Sequence, residues 1–342
     1  MNPTIAIIGS GFGMYCLLPA FCNTENCHVV SISGKNSQRM SSYCKKYNVK
    51  HYHDWKEMLQ KEQPDAIAIA VIPKYQFEIA KYALEHKIAV FAEKPLTISY
   101  NTSYELNQLA KKHHLPNMVD FEFPEIPAWK EAKHILDTNQ LGKISKIYVN
   151  WTFLSYDLKN KIKSWKTNTQ QGGGAVSLVL SHTFYYLEYF LGKINSFECE
   201  LSSSEKSINK GETTINILAK FSNDCLGKIF VDISNENTSH VLEFHGEKKK
   251  LILENHTSSL VDNFELSLHS KEDSQKIKLN NIMSKNDPSE DPRVKIVSLL
   301  ARKFIHWCNS GIAQKPDFQN GMRVQELIDL AQTSNSNAKY NN

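Results

Sequence analysis

At 342 residues, 41% hydrophobic and 22% charged, the chain carries enough apolar material for two cores of ordinary size. Its 40 basic and 36 acidic residues, a formal charge of +4, are dispersed, and the densest basic run, Lys248-Lys249-Lys250, reads as a solvated hairpin strand, which argues against a nucleic-acid partner. Seven cysteines without a CxxC pair argue against a disulfide framework and a zinc site, and no apolar run approaches the roughly 20 residues that span a bilayer, so a cytoplasmic protein without membrane or secretion segments is expected.

In chain order, β-branched runs at Ile5 to Ile8, Val29 to Ser33, Ala66 to Val71, Ala89 to Ala92 and Met118 to Phe121 predict strands. Helical periodicity fills the intervals at Ser37 to Tyr47, Trp55 to Lys61, Tyr75 to His86 and Ser99 to His113. Runs this apolar fit strands buried on both faces, and repeated βα crossovers predict a doubly wound parallel sheet of Rossmann type. The fold class is therefore α/β, with this domain over residues 1–121. His51-Tyr52-His53-Asp54, the tightest histidine cluster, lacks a clear third ligand and reads as a polar loop or sheet edge rather than a metal site.

Past Pro124 the texture changes. A helix from Ala128 to Asp137 leads to a strand near Ile144 to Leu154, then to a polar stretch ending in Gly172-Gly173-Gly174. A helix from Ala175 to Phe190 follows, then strands at Phe197 to Leu201, Thr213 to Phe221, Gly227 to Ser234, Val241 to Phe244 and Lys250 to Glu254, with Gly246 placed to turn the last hairpin. Helices from Arg293 to Cys308 and Gly321 to Thr333 close this half. It reads as an α+β domain over 122–334 with a large, mainly antiparallel open sheet, the final helix being free to pack back on domain one. Residues 335–342 form a polar tail.

Three motifs carry chemistry. Gly9-Ser10-Gly11-Phe12-Gly13 follows the first strand and opens a helix: Gly9 permits the tight turn, Gly11 lets backbone approach a pyrophosphate, and the helix start near Phe12 offers N–H groups to the anion. The usual third small residue falls at Met14, with Gly13 one place early. After the second strand, Ser33-Gly34-Lys35-Asn36-Ser37-Gln38-Arg39 contains no carboxylate for ribose hydroxyls, and Lys35 and Arg39 suit a 2′-phosphate, favouring NADP over NAD. Alternatively, both are solvated charges at a helix start. Ala92-Glu93-Lys94-Pro95 ends a strand where open α/β sheets hold ligands, and an ammonium there can exchange a proton with a substrate oxygen. The third motif, the glycine run before the helix carrying His182, places Leu178, Tyr185 and Tyr186 on the histidine's face; by itself it fits a core histidine better than a base.

Together these motifs resemble the Gfo/Idh/MocA family, the glucose-fructose oxidoreductase and inositol dehydrogenase relatives. Val71-Ile72-Pro73, Gln76, Leu141-Gly142-Lys143-Ile144, Ser164-Trp165-Lys166 and the helix opening at Asn320-Gly321 agree with that texture. The resemblance implies an oxidoreductase that binds NAD(P) through the Gly9 turn, the residues after Ser33, and Val71, Pro73, Gln76, Glu93 and Lys94. It implies Lys94 and His182 in proton transfer, and a carbohydrate-type substrate on the second domain, for which Glu122, Trp165, Lys166, His182 and Tyr186 are the candidate contacts; the alternatives are a solvated Glu122 and a packing Trp165 beside an exposed Lys166. It further implies a homodimer or homotetramer. The family commonly has an Asp four residues before the histidine, and here that position is Leu178. The relay is then rebuilt around Lys94, or the chain is a non-catalytic NAD(P)-binding regulator or assembly partner, or an NAD-assisted hydrolase or lyase.

Overall fold

The computed structural model describes residues 2–205, 207, 211–279, 290–333 and 340–341. Its first half alternates short apolar strands, β1 (Thr4–Ile8), β2 (His28–Ser33), β3 (Lys50–Tyr52), β4 (Ala66–Ile69), β5 (Ala89–Ala92) and β6 (Asn117–Val119), with helices. These are α1 (Leu18–Cys22), α2 (Gln38–Tyr47), α3 (Trp55–Glu62), α4 (Pro73–Glu85) and α5 (Tyr100–Lys112). Every strand pair is parallel, in the order β3-β2-β1-β4-β5-β6. β4 and β5 are buried along their whole length, which their unbroken apolar sequence requires. The polar edge read at 51–54 holds β3, whose residues are exposed or half-buried. α4 begins two residues earlier than its periodicity suggests because Pro73 fits the first helical turn.

The next stretch builds a second sheet. After α6 (Pro127–Asp137) come β7 (Ile144–Leu154), the single turn α7 (Tyr156–Lys159), and α8 (Ser181–Leu191), which is preceded by a π-helical turn at Val176–Leu180. Seven strands follow: β8 (Ile194–Ser202), β9 (Thr214–Phe221), β10 (Leu226–Asp232), β11 (Ser234–Gly246), β12 (Lys250–Asn255), β13 (Glu265–His269) and β14 (Ser274–Lys276). They pair in the order β14-β13-β12-β11-β7-β10-β9-β8, antiparallel except between β7 and β10. Period-two alternation puts Ile147, Val149 and Trp151 of β7, Ile215, Ile217 and Ala219 of β9, and Leu242 and Phe244 of β11 on one buried face. Trp129 of α6 and Tyr186 and Phe190 of α8 are buried with them, and Phe190 meets Phe244 edge to face at 5.1 Å.

α9 (Val294–Ser310) and α10 (Phe318–Thr333) follow, and the backbone of β15 (Tyr340–Asn341) pairs with β8. The chain forms two compact units, Met1–Glu122 with Met283–Gln325, and Phe123–Ile282 with Glu326–Asn342. Thus α9, placed by chain order with the second domain, belongs to the first. Its apolar side supplies Val297, Leu300 and Phe304 to the core under β1, and Phe304 packs edge to face against Phe21 (6.2 Å) and Phe91 (5.8 Å). The polar tail, apart from residues 340–341, lies outside the described residues. No described helix is long and apolar enough to cross a membrane.

Candidate active site

The glycine turn of the first unit divides its work among three positions. Gly9 has φ of +132°, and a Cβ there would lie 2.1 Å from the Ala70 carbonyl oxygen. A Cβ on Gly13 would lie 3.2 Å from the Ile8 carbonyl oxygen, so the close helix-to-strand packing expected of the third small residue is performed at 13 rather than 14. Around Gly11, by contrast, a Cβ would meet nothing within 4 Å, so protein packing alone does not demand glycine there. A backbone left bare on an exposed turn fits the close approach of a dinucleotide pyrophosphate. The helix opens with a π turn at Gly13–Leu17, in which the Met14 and Tyr15 amides return to the Gly11 carbonyl at 2.9 and 3.1 Å. Such widened turns recur at functional sites.

The β2 loop sits against this turn. A Cβ on Gly34 would lie 2.9 Å from both Cβ and the backbone nitrogen of Ser10, so glycine is needed for the two loops to touch. The Gly34 amide donates to the Tyr52 carbonyl (3.0 Å), and His51 Nε2 contacts the Gly34 carbonyl (3.0 Å), which gives the His51 cluster a loop-fixing task. Ser33 is buried, and the Ser37 hydroxyl caps α2 by accepting from the Met40 amide. Lys35 and Arg39 are exposed. The Arg39 guanidinium lies over the rings of Tyr15 (5.5 Å) and Tyr43 (5.8 Å).

At the end of β5 the loop Glu93 to Leu96 is clamped by buried Gln76, whose Nε2 donates to the carbonyls of Glu93 (2.6 Å), Pro95 (3.1 Å) and Leu96 (3.0 Å). Gln76, expected to meet cofactor, therefore shapes the loop that carries Glu93 and Lys94, both half-buried; Pro73 starts α4, and Val71 is half-buried before it. Glu93 Oε2 accepts from the Lys94 amide at 2.9 Å. Two more carboxyls join from the end of β6: Asp120 is fully buried, and Glu122 is 6% exposed. Burial raises the pKa of all three carboxyls. For Asp120 the neighbouring charges of Glu93 and Glu122 add to the rise, whereas Lys94 and Arg293 oppose it. Glu122 is held at about 7 by burial and then by Glu93, again against Lys94.

Three members of this unit carried no usable signal. Asp120 ends an apolar strand, where a lone acid reads as a solvated cap. Arg293 stands far along the chain, yet its guanidinium lies 4.7 Å from the Phe12 ring and pairs with Asp291 through two contacts of 2.8 Å. Tyr15 meets Phe12 edge to face at 5.6 Å.

In the second unit the glycine run is explained by packing. Gly172 and Gly174 have φ of +85° and +90°. A Cβ on Gly173 would lie 2.1 Å from the Trp165 carbonyl oxygen, and one on Gly174 would lie 2.2 Å from the Glu212 carboxylate. Glu212 accepts from the Val176 amide at 3.2 Å, an anion at the start of the helical segment. The run thereby seats the loop that bears half-buried Trp165 and exposed Lys166. His182 is 6% exposed and meets Phe123 edge to face at 4.9 Å, with Trp151 at 6.2 Å. Tyr186 is fully buried, and its hydroxyl faces His240 Nε2 at 3.4 Å. It belongs to the aromatic core behind His182 rather than to an open surface. Leu178 is half-buried within the π turn, which interrupts the continuous α-helix expected from Ala175.

A family model described as "Oxidoreductase family, NAD-binding Rossmann fold" matches residues 4–121, and its companion, the family's C-terminal alpha/beta domain, matches residues 133–341. An uncharacterized oxidoreductase of Synechocystis is 26% identical over 344 residues, covering 96% of this chain and 93% of that protein. Among solved structures, levoglucosan dehydrogenase in complex with NADH superposes with a TM-score of 0.85 at 17% identity, covering 98% of this chain and 97% of that one. A 3-ketoreductase from Actinomadura kijaniata, in complex with NADP and TDP-benzene, gives 0.82 at 17% identity, covering 98% of each.

Proposed function

Because the chain belongs to the Gfo/Idh/MocA family of NAD-binding oxidoreductases, we propose that it interconverts a hydroxyl and a keto group on a sugar, nucleotide sugar or cyclitol, with NADP preferred over NAD and Lys94 as the main acid/base. The observation that carries this reading is the placement of Lys94 at the carboxyl end of β5 among Glu93, Asp120 and Glu122, three carboxyls that all sense its charge. The levoglucosan dehydrogenase and 3-ketoreductase structures support the substrate class, since one is named for oxidation of levoglucosan and the other for reduction of a ketone.

The bare turn at Gly11 and the cation pair Lys35 and Arg39 fit a phosphorylated dinucleotide, with Ser10, Phe12 and Gly13 along the pyrophosphate and Ser33 and Gly34 beside the ribose. When bound, the nicotinamide accepts or supplies the hydride. Lys94 Nζ gives a proton to the substrate oxygen during reduction and receives it during oxidation. Glu122, titrating near neutrality, exchanges protons with that lysine. His182 stands on the second unit with its ring set by Phe123 and Trp151, where it orients a substrate hydroxyl; Tyr186 supports it from behind. Trp165 offers a face for a sugar ring and Lys166 a cation for an acidic substituent. The second unit also serves as the interface of a homodimer or homotetramer.

The test is a panel of sugars and nucleotide sugars, oxidised and reduced with both cofactors, comparing wild type with Lys94→Ala. Turnover should fall at least about a thousandfold in the variant while NADPH binding stays within about threefold. Turnover that survives removes Lys94 from the acid/base role. Leu178 favours a second reading, an NAD(P)-binding regulator, whose signature is tight cofactor binding by wild type with no hydride transfer to any member of the panel.

A further inference from the structure

Between the glycine turn and α2, one aromatic ring has two guanidinium groups near its centroid. Arg39 lies 5.5 Å and Arg293 5.9 Å from the centroid of Tyr15. Arg293 is itself fixed by the two-point pair with Asp291. Arg39 has a second aromatic neighbour in Tyr43, one turn along α2. The two cations thus differ in their anchoring: Arg293 has a carboxylate partner, whereas Arg39 and Lys35 make no ion pair among the described residues. An arginine held only by ring faces keeps its fork of N–H donors available for an incoming anion.

We propose that Tyr15 is a cofactor-specificity residue: its ring, packed beside the Asp291–Arg293 pair, seats Arg39 beside the β2 loop so that its guanidinium receives the 2′-phosphate of NADP. This rests on the reading of NADP as the preferred cofactor. It adds to that reading a residue of the first helical turn and a charged pair from the far end of the chain. The seat is local to one unit. Tyr15 rises from the turn at Gly13–Leu17, Arg39 from the first turn of α2, and the loops before them are held in contact by Ser10 and Gly34. A ring face holds a guanidinium at this range without neutralising it, and a carboxylate in the same place would repel the phosphate.

The experiment is a fluorescence titration of NADPH and NADH, without substrate, against wild type, Arg39→Ala, Tyr15→Leu, Tyr15→Phe and the Arg39→Ala/Tyr15→Leu double variant. Melting temperatures confirm that each is folded. Wild type should bind NADPH at least about tenfold tighter than NADH, and Arg39→Ala should remove most of that ratio. Tyr15→Leu, which keeps bulk but loses the π face, should weaken NADPH about 3- to 10-fold and NADH less than about twofold. Tyr15→Phe should stay within about threefold of wild type for both, and Tyr15→Leu should add less than about twofold once Arg39 is gone. Equal weakening of both cofactors by Tyr15→Leu, or full additivity with Arg39→Ala, overturns the specificity role and makes Tyr15 a support of the turn. A wild type that prefers NADH and is indifferent to Arg39→Ala overturns the NADP reading itself, and this inference with it.

Discussion

An alanine at Gly9 drives its Cβ into the Ala70 carbonyl at a backbone angle that side chains rarely adopt, whereas an alanine at Gly11 points into open space. The two substitutions should therefore separate folding from binding. Gly9→Ala should cost about 3 kcal/mol or more and lower the melting temperature by several degrees. Gly11→Ala should leave the melting temperature within about 2 °C while weakening NADPH binding at least about tenfold in titration. Glu122 makes a pH prediction. Its carboxyl titrates at about 7 in the fold against 4.5 as a free side chain, so between these values the folded state holds a proton that the unfolded chain has released. Its contribution is complete below pH 4.5 and is lost as pH rises through 7. Glu122→Gln should accordingly gain about 1 to 3 kcal/mol on wild type between pH 5 and pH 8, seen as a widening difference in melting temperature. The glycine turn and the Glu93-Lys94 pair were legible because their residue types sit at fixed offsets from strands. Asp120, Tyr15 and Arg293 were not, since their meaning comes from neighbours that only the fold supplies.

Among elements, legibility followed burial. β4 and β5 are apolar throughout, β1 is apolar after Thr4, and all three stand out as strands, while β9 alternates cleanly. β3, β13 and β14 are short edge or near-edge strands of three to five residues, and their polar positions resemble loop. The π turns at Gly13–Leu17 and Val176–Leu180 leave no mark in a periodicity pattern, because one extra residue in a single turn is smaller than the pattern resolves. Paired elements also predict behaviour. His240 of β11 lies opposite Trp151 of β7 in the ladder, and the rings stack at 4.1 Å and 4°. Burial holds this imidazole at about 3 against an ordinary 6.5. Here the unfolded chain binds the proton, so stability is full above 6.5 and declines as pH falls toward 3. Replacing His240 with Phe keeps a stacking ring and removes the titration. From pH 7 to pH 5 the variant should avoid about 2 kcal/mol of the loss wild type suffers, measured as a smaller drop in melting temperature.

For the whole molecule, division into a dinucleotide unit and a sheet unit was readable from the change of texture after Pro124. The ownership of α9 was not, because an amphipathic helix announces that it has a partner without saying which. That ownership governs how the protein is made. Phe304 of α9 covers Phe21 and Phe91, and Arg293 reaches Phe12, so the first unit's core lacks these pieces when only residues 1–122 exist. A fragment of residues 1–122 should expose that apolar face, bind a hydrophobic dye more strongly than the full chain, and remain largely insoluble; adding a peptide of residues 290–325 should restore part of its solubility. On the ribosome, the nucleotide-binding half emerges first but is completed almost last. A nascent chain must keep its opening strands from aggregating while more than half of the polypeptide is still to be synthesised, a delay that falls to chaperones to cover.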